Sequence, residues 1–274
     1  MNPAWRHPSF GVGAVLMALV LGAALLSLVW TPHDPTAMRI MARLRPPSAD
    51  HWLGTDQFGR DIASMVLVGA RNALLVGLVA VGIGLVFGVA LGMLAALYRG
   101  RLIDEAVMRG LDFVFAFPAV LTAILILTWF GPGLVNAVVA IGIFNIPVFA
   151  RQARGATLQV LAQDYIRAAR LAGLSRAAIM RRHIVPNITG LMIVQGSTQF
   201  AFAILAEASL SYLGIGTQPP NPSWGRMLND AQTYLATAPH LALVPGLAIA
   251  ITVLAFNLLG DGLRDLLDPR MKER

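Results

Sequence analysis

Cysteine is absent from this 274-residue chain, which excludes disulfides and thiolate metal sites. Lysine is nearly absent: Lys272 is the only one, behind Arg270-Met271 in the tail. A phosphate-binding loop needs a lysine directly after its glycines, so the chain has no such route to ATP hydrolysis. No G-x-S-x-G elbow is present, and the five histidines (His7, His33, His51, His183, His240) show no paired spacing of the H-E-x-x-H kind. No catalytic residue, cofactor or metal site is therefore expected, and each histidine is read as solvated or structural. Charge as a whole is thin. Charged residues make up 13% and hydrophobic ones 57%, with a mean hydropathy of +0.68. A soluble domain carries about 25% charged residues, so an all-α polytopic membrane protein is expected.

What is there is a series of uncharged runs. A membrane-crossing helix needs about 20 apolar residues. Residues 10–30 satisfy that and exceed the core of a signal peptide, so they are read as a retained first span. Residues 73–98 form the second span, with Gly84, Gly88 and Gly92 on one face where another helix can approach closely. The uncharged stretch 113–150 is too long for one helix. Gly131-Pro132-Gly133 divides it into spans at 113–130 and 134–150 joined by a tight turn, and Pro118 kinks the first of these or marks its start. Residues 188–206 and 241–260 complete six spans. Between them lie an external subdomain at 31–72, a polar segment at 151–187, a second external loop at 207–240, and short ends at 1–9 and 261–274.

The arginines orient this array. Residues 151–187 carry Arg151, Arg154, Arg167, Arg170, Arg176, Arg181 and Arg182 against the single acid Asp164. The bias places that segment, the 99–112 connection and both termini in the cytoplasm. The basic excess thus reports topology and contact with lipid, not nucleic-acid binding.

The 151–187 segment has internal punctuation. A helix is expected from Tyr165 to Ala172, stopped by Gly173 in a left-handed conformation. Ser175 is suited to N-cap a second helix reaching about His183, and Pro186 suits the first turn of the helix after it. Small residues (Ala168, Ala169, Ala172, Gly173) gather at the bend. Such an object is either a basic loop that fixes topology or a knob made to seat in another protein. None of the six spans, as drawn, holds Asp, Glu, Lys, Arg or His. Proton-coupled or sodium-coupled carriers keep such groups in the membrane, so a passive channel or secondary carrier is the weaker reading. A chain without an engine of its own is expected to borrow one, and the knob is the place to attach it. Gln195, Ser197, Thr198 and Gln199 are the polar candidates for lining a pathway, or for hydrogen-bonding between helices.

The segment resembles the cytoplasmic signature of ABC importer permeases, E-A-A-x3-G-x9-I-x-L-P. Here it reads Arg167-Ala168-Ala169, three residues, Gly173, nine residues, then His183-Ile184-Val185-Pro186. Arg167 departs from the acidic residue, and His183 and Val185 replace an isoleucine and a leucine. Three more stretches are similar to the second permease of dipeptide, oligopeptide and nickel importers: HWLGTDQFGRDIASMVLVGARNALLVG (51–77), ASLSYLGIGTQPPNPSWGRMLNDA (208–231) and FNLLGDGLRDLLDPR (256–270). The resemblance implies a type I importer permease fold. It also implies a heterodimer with a homologous sister permease, two cytoplasmic ABC ATPase subunits, and an external substrate-binding protein. In that frame Arg167, Ala168, Ala169, Leu171, Ala172, Gly173, Leu174, Ser175, His183 and Pro186 form the ATPase-coupling segment. The implied cargo is a dipeptide or oligopeptide, with nickel or a metal–opine chelate as the alternative.

Overall fold

A computed structural model describes residues 8–267. The ends at 1–7 and 268–274, including His7, Lys272 and the last residues of the 256–270 motif, lie outside the described residues. Ten α-helices follow one another: α1 (Pro8–Val29), α2 (Ile62–Leu97), α3 (Leu102–Phe115), α4 (Ala119–Phe130), α5 (Leu134–Leu161), α6 (Asp164–Leu171), α7 (Arg176–Ile179), α8 (Val185–Tyr212), α9 (Trp224–Ala231) and α10 (His240–Leu267). Among the described residues the only β-pairing is an isolated bridge between Thr55 and Asp61. The all-α expectation holds. Five helical stretches are long and apolar enough to cross a bilayer, and the bent pair α3 plus α4 gives a sixth if it counts as one span.

That pair departs most from the expected spans. The two helices meet at 86°, and α4 alone has 12 residues, about 18 Å against a hydrocarbon core of about 30 Å. The cause is Pro118, which takes the N-cap of α4 at φ −57°, ψ 132° and disfavours helical backbone in the residue before it. Helix α3 therefore lies across the bundle. Two arginines of α5 clamp it there. Arg154 donates from Nε and Nη2 to the two carboxylate oxygens of Asp104, each at 2.8 Å, and Arg151 donates to Asp112 at 2.9 Å. A two-pronged guanidinium–carboxylate pair fixes orientation as well as distance.

Other helix ends also shift. Helix α2 starts at Ile62, inside the segment expected to be loop, because Asp61 caps it by accepting the Ser64 N–H at 2.8 Å. At 36 residues it reaches about 54 Å, so its first turns stand beyond the bilayer core. Helix α5 continues to Leu161, and α8 continues to Tyr212. As a result Arg71, Arg151, Arg154 and Glu207 lie on the long helices. The spans were free of charge only because they were drawn to end at charges. Glu207 is buried and accepts hydrogen bonds from Ser211 Oγ at 2.6 Å and Thr217 Oγ1 at 2.9 Å.

The glycine stripe does what its spacing promised. A Cβ built on Gly84, Gly88 or Gly92 would lie 2.5 Å from Asn145 Cβ, 2.6 Å from the Ile146 carbonyl oxygen or 2.2 Å from the Ala150 carbonyl oxygen, all on α5. Helices α2 and α5 thus pack backbone to backbone, with Phe149 fully buried between them. The GPG turn also forms, Gly131 at φ 90° and Gly133 at φ 145°. At the far end, residues 30–61 and 213–239 pack together over the start of α2. Trp224 Nε1 donates to the Val66 carbonyl, Asn72 Nδ2 to the Pro222 carbonyl, and Arg60 to both Asp56 and Asp230.

Gly92→Val should loosen this bundle by about 1–3 kcal/mol, the usual range for overpacking, read as a lower unfolding midpoint in detergent. Gly82→Ala on the same helix, with nothing within 4 Å of the new Cβ, should match the parent.

Candidate functional site

The polar segment folds as a knob at the end of α5. Helix α6 ends in a Schellman motif. The Leu174 N–H donates to the Ala169 carbonyl at 3.1 Å, the Gly173 N–H donates to the Arg170 carbonyl at 3.0 Å, and Gly173 takes φ +83°. Those two bonds satisfy carbonyls that a helix end leaves open. A Cβ on Gly173 would meet nothing within 4 Å, so glycine is required by backbone conformation and not by crowding. Ser175 N-caps α7, its Oγ accepting the Ala178 N–H at 3.2 Å. Helix α7 does not stop near His183. It passes through a π-turn, Met180–Ile184, straight into α8, giving one helical rod from Arg176 to Tyr212. The π-turn lets the helix absorb Pro186, which has no N–H to give, as π-bulges commonly do within α-helices.

The knob has two faces. Its inner face is apolar: Ile166, Ile179, Ile184 and Ile188 are buried against Phe149, Ala153 and Ala156 of α5. Ala169 and Leu174 are partly buried on the same cluster. Its outer face carries Arg167, Ala168, Ala172, Gly173 and Ser175, all exposed, with Leu171 91% exposed at the tip. Pro186 is exposed beside it. His183 is half-buried, its ring 5.9 Å from that of Tyr165, so it braces α6 against the π-turn. Arg167 reaches Asp164 at 3.1 Å, but both are open to solvent, and such a pair is worth about 0–1 kcal/mol. The outer face thus presents a nearly bare leucine, small residues, and an arginine free to exchange its partner. Behind the knob Arg99, Arg170 and Arg176 line a cavity of ≈ 430 Å³.

A second cavity of ≈ 290 Å³ lies between α4, α5 and α8, lined by Phe144, Asn145, Phe202 and Gln199 among mostly small apolar residues. Of the four polar residues singled out on α8, Gln199 alone lines it. Ser197 bonds its own helix at the Val194 carbonyl, and a Cβ on Gly260 of α10 would fall 2.2 Å from its Oγ. Thr198 also turns to the Val194 carbonyl, at 3.5 Å. Gln195 is half-buried away from the cavity. Sequence reasoning missed Asn145, which also donates to the Ala80 carbonyl at 3.3 Å. Its signal was a lone amide in an apolar run. Phe144 and Phe202 carried no signal.

Ionisation is shifted at the opposite end of the molecule as well. Burial pushes the Asp61 carboxyl up, but hydrogen bonds from His51 and Ser64 outweigh it and hold the group below the usual carboxylate range.

A family model described as "Binding-protein-dependent transport system inner membrane component" matches residues 88–273. The glutathione transport system permease protein GsiD of Pectobacterium atrosepticum is 44% identical over 97% of this chain and 88% of its own length. The dipeptide transport system permease protein DppC of Alkalihalophilus pseudofirmus is 42% identical over 95% and 86%, and GsiD of Escherichia coli 49% identical over 98% and 89%. Among solved structures, a chain of the inward-facing MetNI methionine ABC transporter aligns with a TM-score of 0.63 at 18% identity, covering 74% of this chain and 97% of that one. That last likeness concerns the fold.

Ile166→Ala should free the knob without unfolding the bundle. It removes a fully buried side chain worth about 2–5 kcal/mol at such sites. Limited trypsin digestion should then cleave at Arg167 and Arg170 well before the parent, while far-UV circular dichroism stays unchanged.

Proposed function

We infer, from the premise that this chain belongs to the binding-protein-dependent transport system inner membrane components, that it conducts peptides as one half of a paired channel. The chain is a non-catalytic, multi-pass permease subunit of a binding-protein-dependent ABC importer, and ATP hydrolysis belongs to a separate subunit. We propose that a homologous sister permease completes the pathway and that the cavity between α4, α5 and α8 faces it. Short peptides are the cargo this reading favours, since the relatives are named for glutathione, dipeptides and peptides. Nickel and metal–opine chelates are not favoured by those names.

The observation that carries the mechanism is the bare tip of the knob at the foot of a continuous rod. In our reading the outer face of the knob, from Arg167 to Ser175, lies in a groove of a cytoplasmic ATPase. An exposed leucine and small flanking residues suit helix-in-groove recognition. When ATP closes the ATPase pair, the knobs are drawn together, and α7–α8 carries that movement to Gln199 and the cavity wall. A ligand shifts an equilibrium only through different affinity for the two states, so the groove must hold the knob in two geometries. Both termini would then be cytoplasmic. The packed subdomain of residues 30–61 and 213–239 would face outward, where the binding protein docks.

Leu171→Asp and Gly173→Glu should insert and assemble like the parent, yet lose at least about tenfold in ATP-driven dipeptide uptake in proteoliposomes, ATPase activity no longer tracking transport. Gly173→Asn should retain most uptake, since asparagine tolerates the left-handed backbone. A knob that served only as a helix stop would instead leave Leu171→Asp fully active.

A further inference from the structure

The polar subdomain holds a cluster that the transport reading does not use. His33, His51 and Asp61 lie along one segment between α1 and α2, and each offers one ligand atom within 4.8 Å of the others. His51 Nδ1 lies 2.8 Å from Asp61 Oδ1, and His33 Nδ1 lies 3.6 Å from the same oxygen. The two imidazole rings sit with centroids 4.5 Å apart, tilted by 34°. Three donors thus converge on one point from the loop after α1, the middle of the subdomain, and the N-cap of α2.

We propose that His33, His51 and Asp61 form a binding site for a divalent transition-metal ion of the zinc class. The first reason is the unmet nitrogen. His33 Nδ1 is buried and has no hydrogen-bond partner, and at 3.6 Å it is too far from Asp61 to make one. A hydrogen-bonded tie would need His51 and Asp61 only, and would leave this nitrogen at the cost of an unsatisfied buried group. The second is spacing. Zinc–nitrogen and zinc–oxygen bonds of about 2.0–2.2 Å in tetrahedral array put ligand atoms about 3.3 Å apart. The two histidine–carboxylate distances, 2.8 Å and 3.6 Å, bracket that value, and all three ligand atoms lie within 4.8 Å of one another.

The third reason is the support around the ligands. Asp61 divides its carboxylate: Oδ2 accepts from the N–H and Oγ of Ser64, and Oδ1 is left for the histidines. The backbone N–H of His33 donates to Ser64 Oγ at 2.9 Å, and that of His51 donates to Ser48 Oγ at 3.1 Å. Both histidines are therefore held through their backbones, independent of their rings. Both also line an open cavity with Trp30, Trp52, Arg39 and Arg45, which gives an ion a way in and water the fourth position. Two imidazoles and one carboxylate suit zinc, cobalt or nickel and not magnesium, which prefers oxygen alone. A bound ion would staple the start of α2 to the loop after α1 and to the segment around His51.

The test uses the assembled importer purified in detergent, stripped with chelator, then titrated with Zn(II) against a competing dye. The wild-type assembly should bind one more zinc than the His33→Ala assembly, or bind that zinc at least about tenfold more tightly, a typical consequence of disturbing a metal site. Mg(II) should not compete. Asp61→Asn keeps the helix cap, since asparagine caps as well as aspartate, and should weaken zinc binding equally. It decides the matter if His33→Ala does not assemble. With Co(II), the visible absorption of a four-coordinate nitrogen-ligated site should appear in the wild type and vanish in both variants. Equal zinc stoichiometry and affinity in the wild type and the variants would overturn the proposal and leave the cluster a hydrogen-bonded tie.

Discussion

Apolar helices gain nothing from hiding from lipid that is as apolar as they are, so their association depends on close packing. In this chain that packing is concentrated where Gly84, Gly88 and Gly92 of α2 let the backbone of α5 come within van der Waals reach. Helix α5 is thereby fixed as a spine. Its next faces hold α3 through Arg151 and Arg154 and frame the ≈ 290 Å³ cavity through Phe144 and Asn145. Its far end offers Ala153 and Ala156 to the isoleucines of the knob. Small side chains recur along the spine where α2 and the knob must come close, and among the described residues charge draws in only α3.

The connection between knob and cavity follows from continuity of helix. From Arg176 to Tyr212 the backbone has no break, and in the proposed reading that rod is what carries a displacement at the knob toward Gln199. Pro186 would be expected to interrupt that rod, and the π-turn ahead of it carries the irregularity instead. The exposed pair Arg167–Asp164 adds little to the knob's own stability. The arginine at the position where the resembled signature has an acid therefore bears little on how the knob folds.

Much of this was legible in residue spacing. The glycine stripe, the GPG turn, the stop at Gly173 and the cap at Ser175 are local rules with local causes, and each formed as read. Helix lengths were not legible, because hydropathy marks where lipid ends, and the helices run past that point. Asp61 moves the start of α2 to Ile62, and Arg151 and Arg154 lie on α5 because each has an acid on α3 to meet. Pro118 gave notice of a disturbance but not of its size: a right-angle break needs α3 to have somewhere to lie, and that place exists only in the folded bundle. The convergence of His33, His51 and Asp61 was hidden for the same reason. Their separations in the chain match no local metal motif, and only the folding of residues 30–61 onto the cap of α2 brings them together.

The two ends of the molecule are held in different ways. At the end built from residues 30–61 and 213–239, directional contacts join an apolar cluster around Ile62, Met65, Trp224 and Met227. Glu207 receives Ser211 and Thr217, Arg60 spans Asp56 and Asp230, Trp224 reaches the Val66 carbonyl, and Asn72 reaches the Pro222 carbonyl. A buried polar network of this kind specifies one arrangement, since a small shift leaves groups unsatisfied. At the knob end the buried contacts are Ile166, Ile179, Ile184 and Ile188 on alanines and Phe149. Apolar contact is non-directional and roughly proportional to area, so it survives a rotation that would break a hydrogen bond. Under the proposed function, a surface that receives a binding protein in fixed register suits the first kind of contact, and a joint that occupies two geometries in turn suits the second, which is the kind beneath the exposed Leu171.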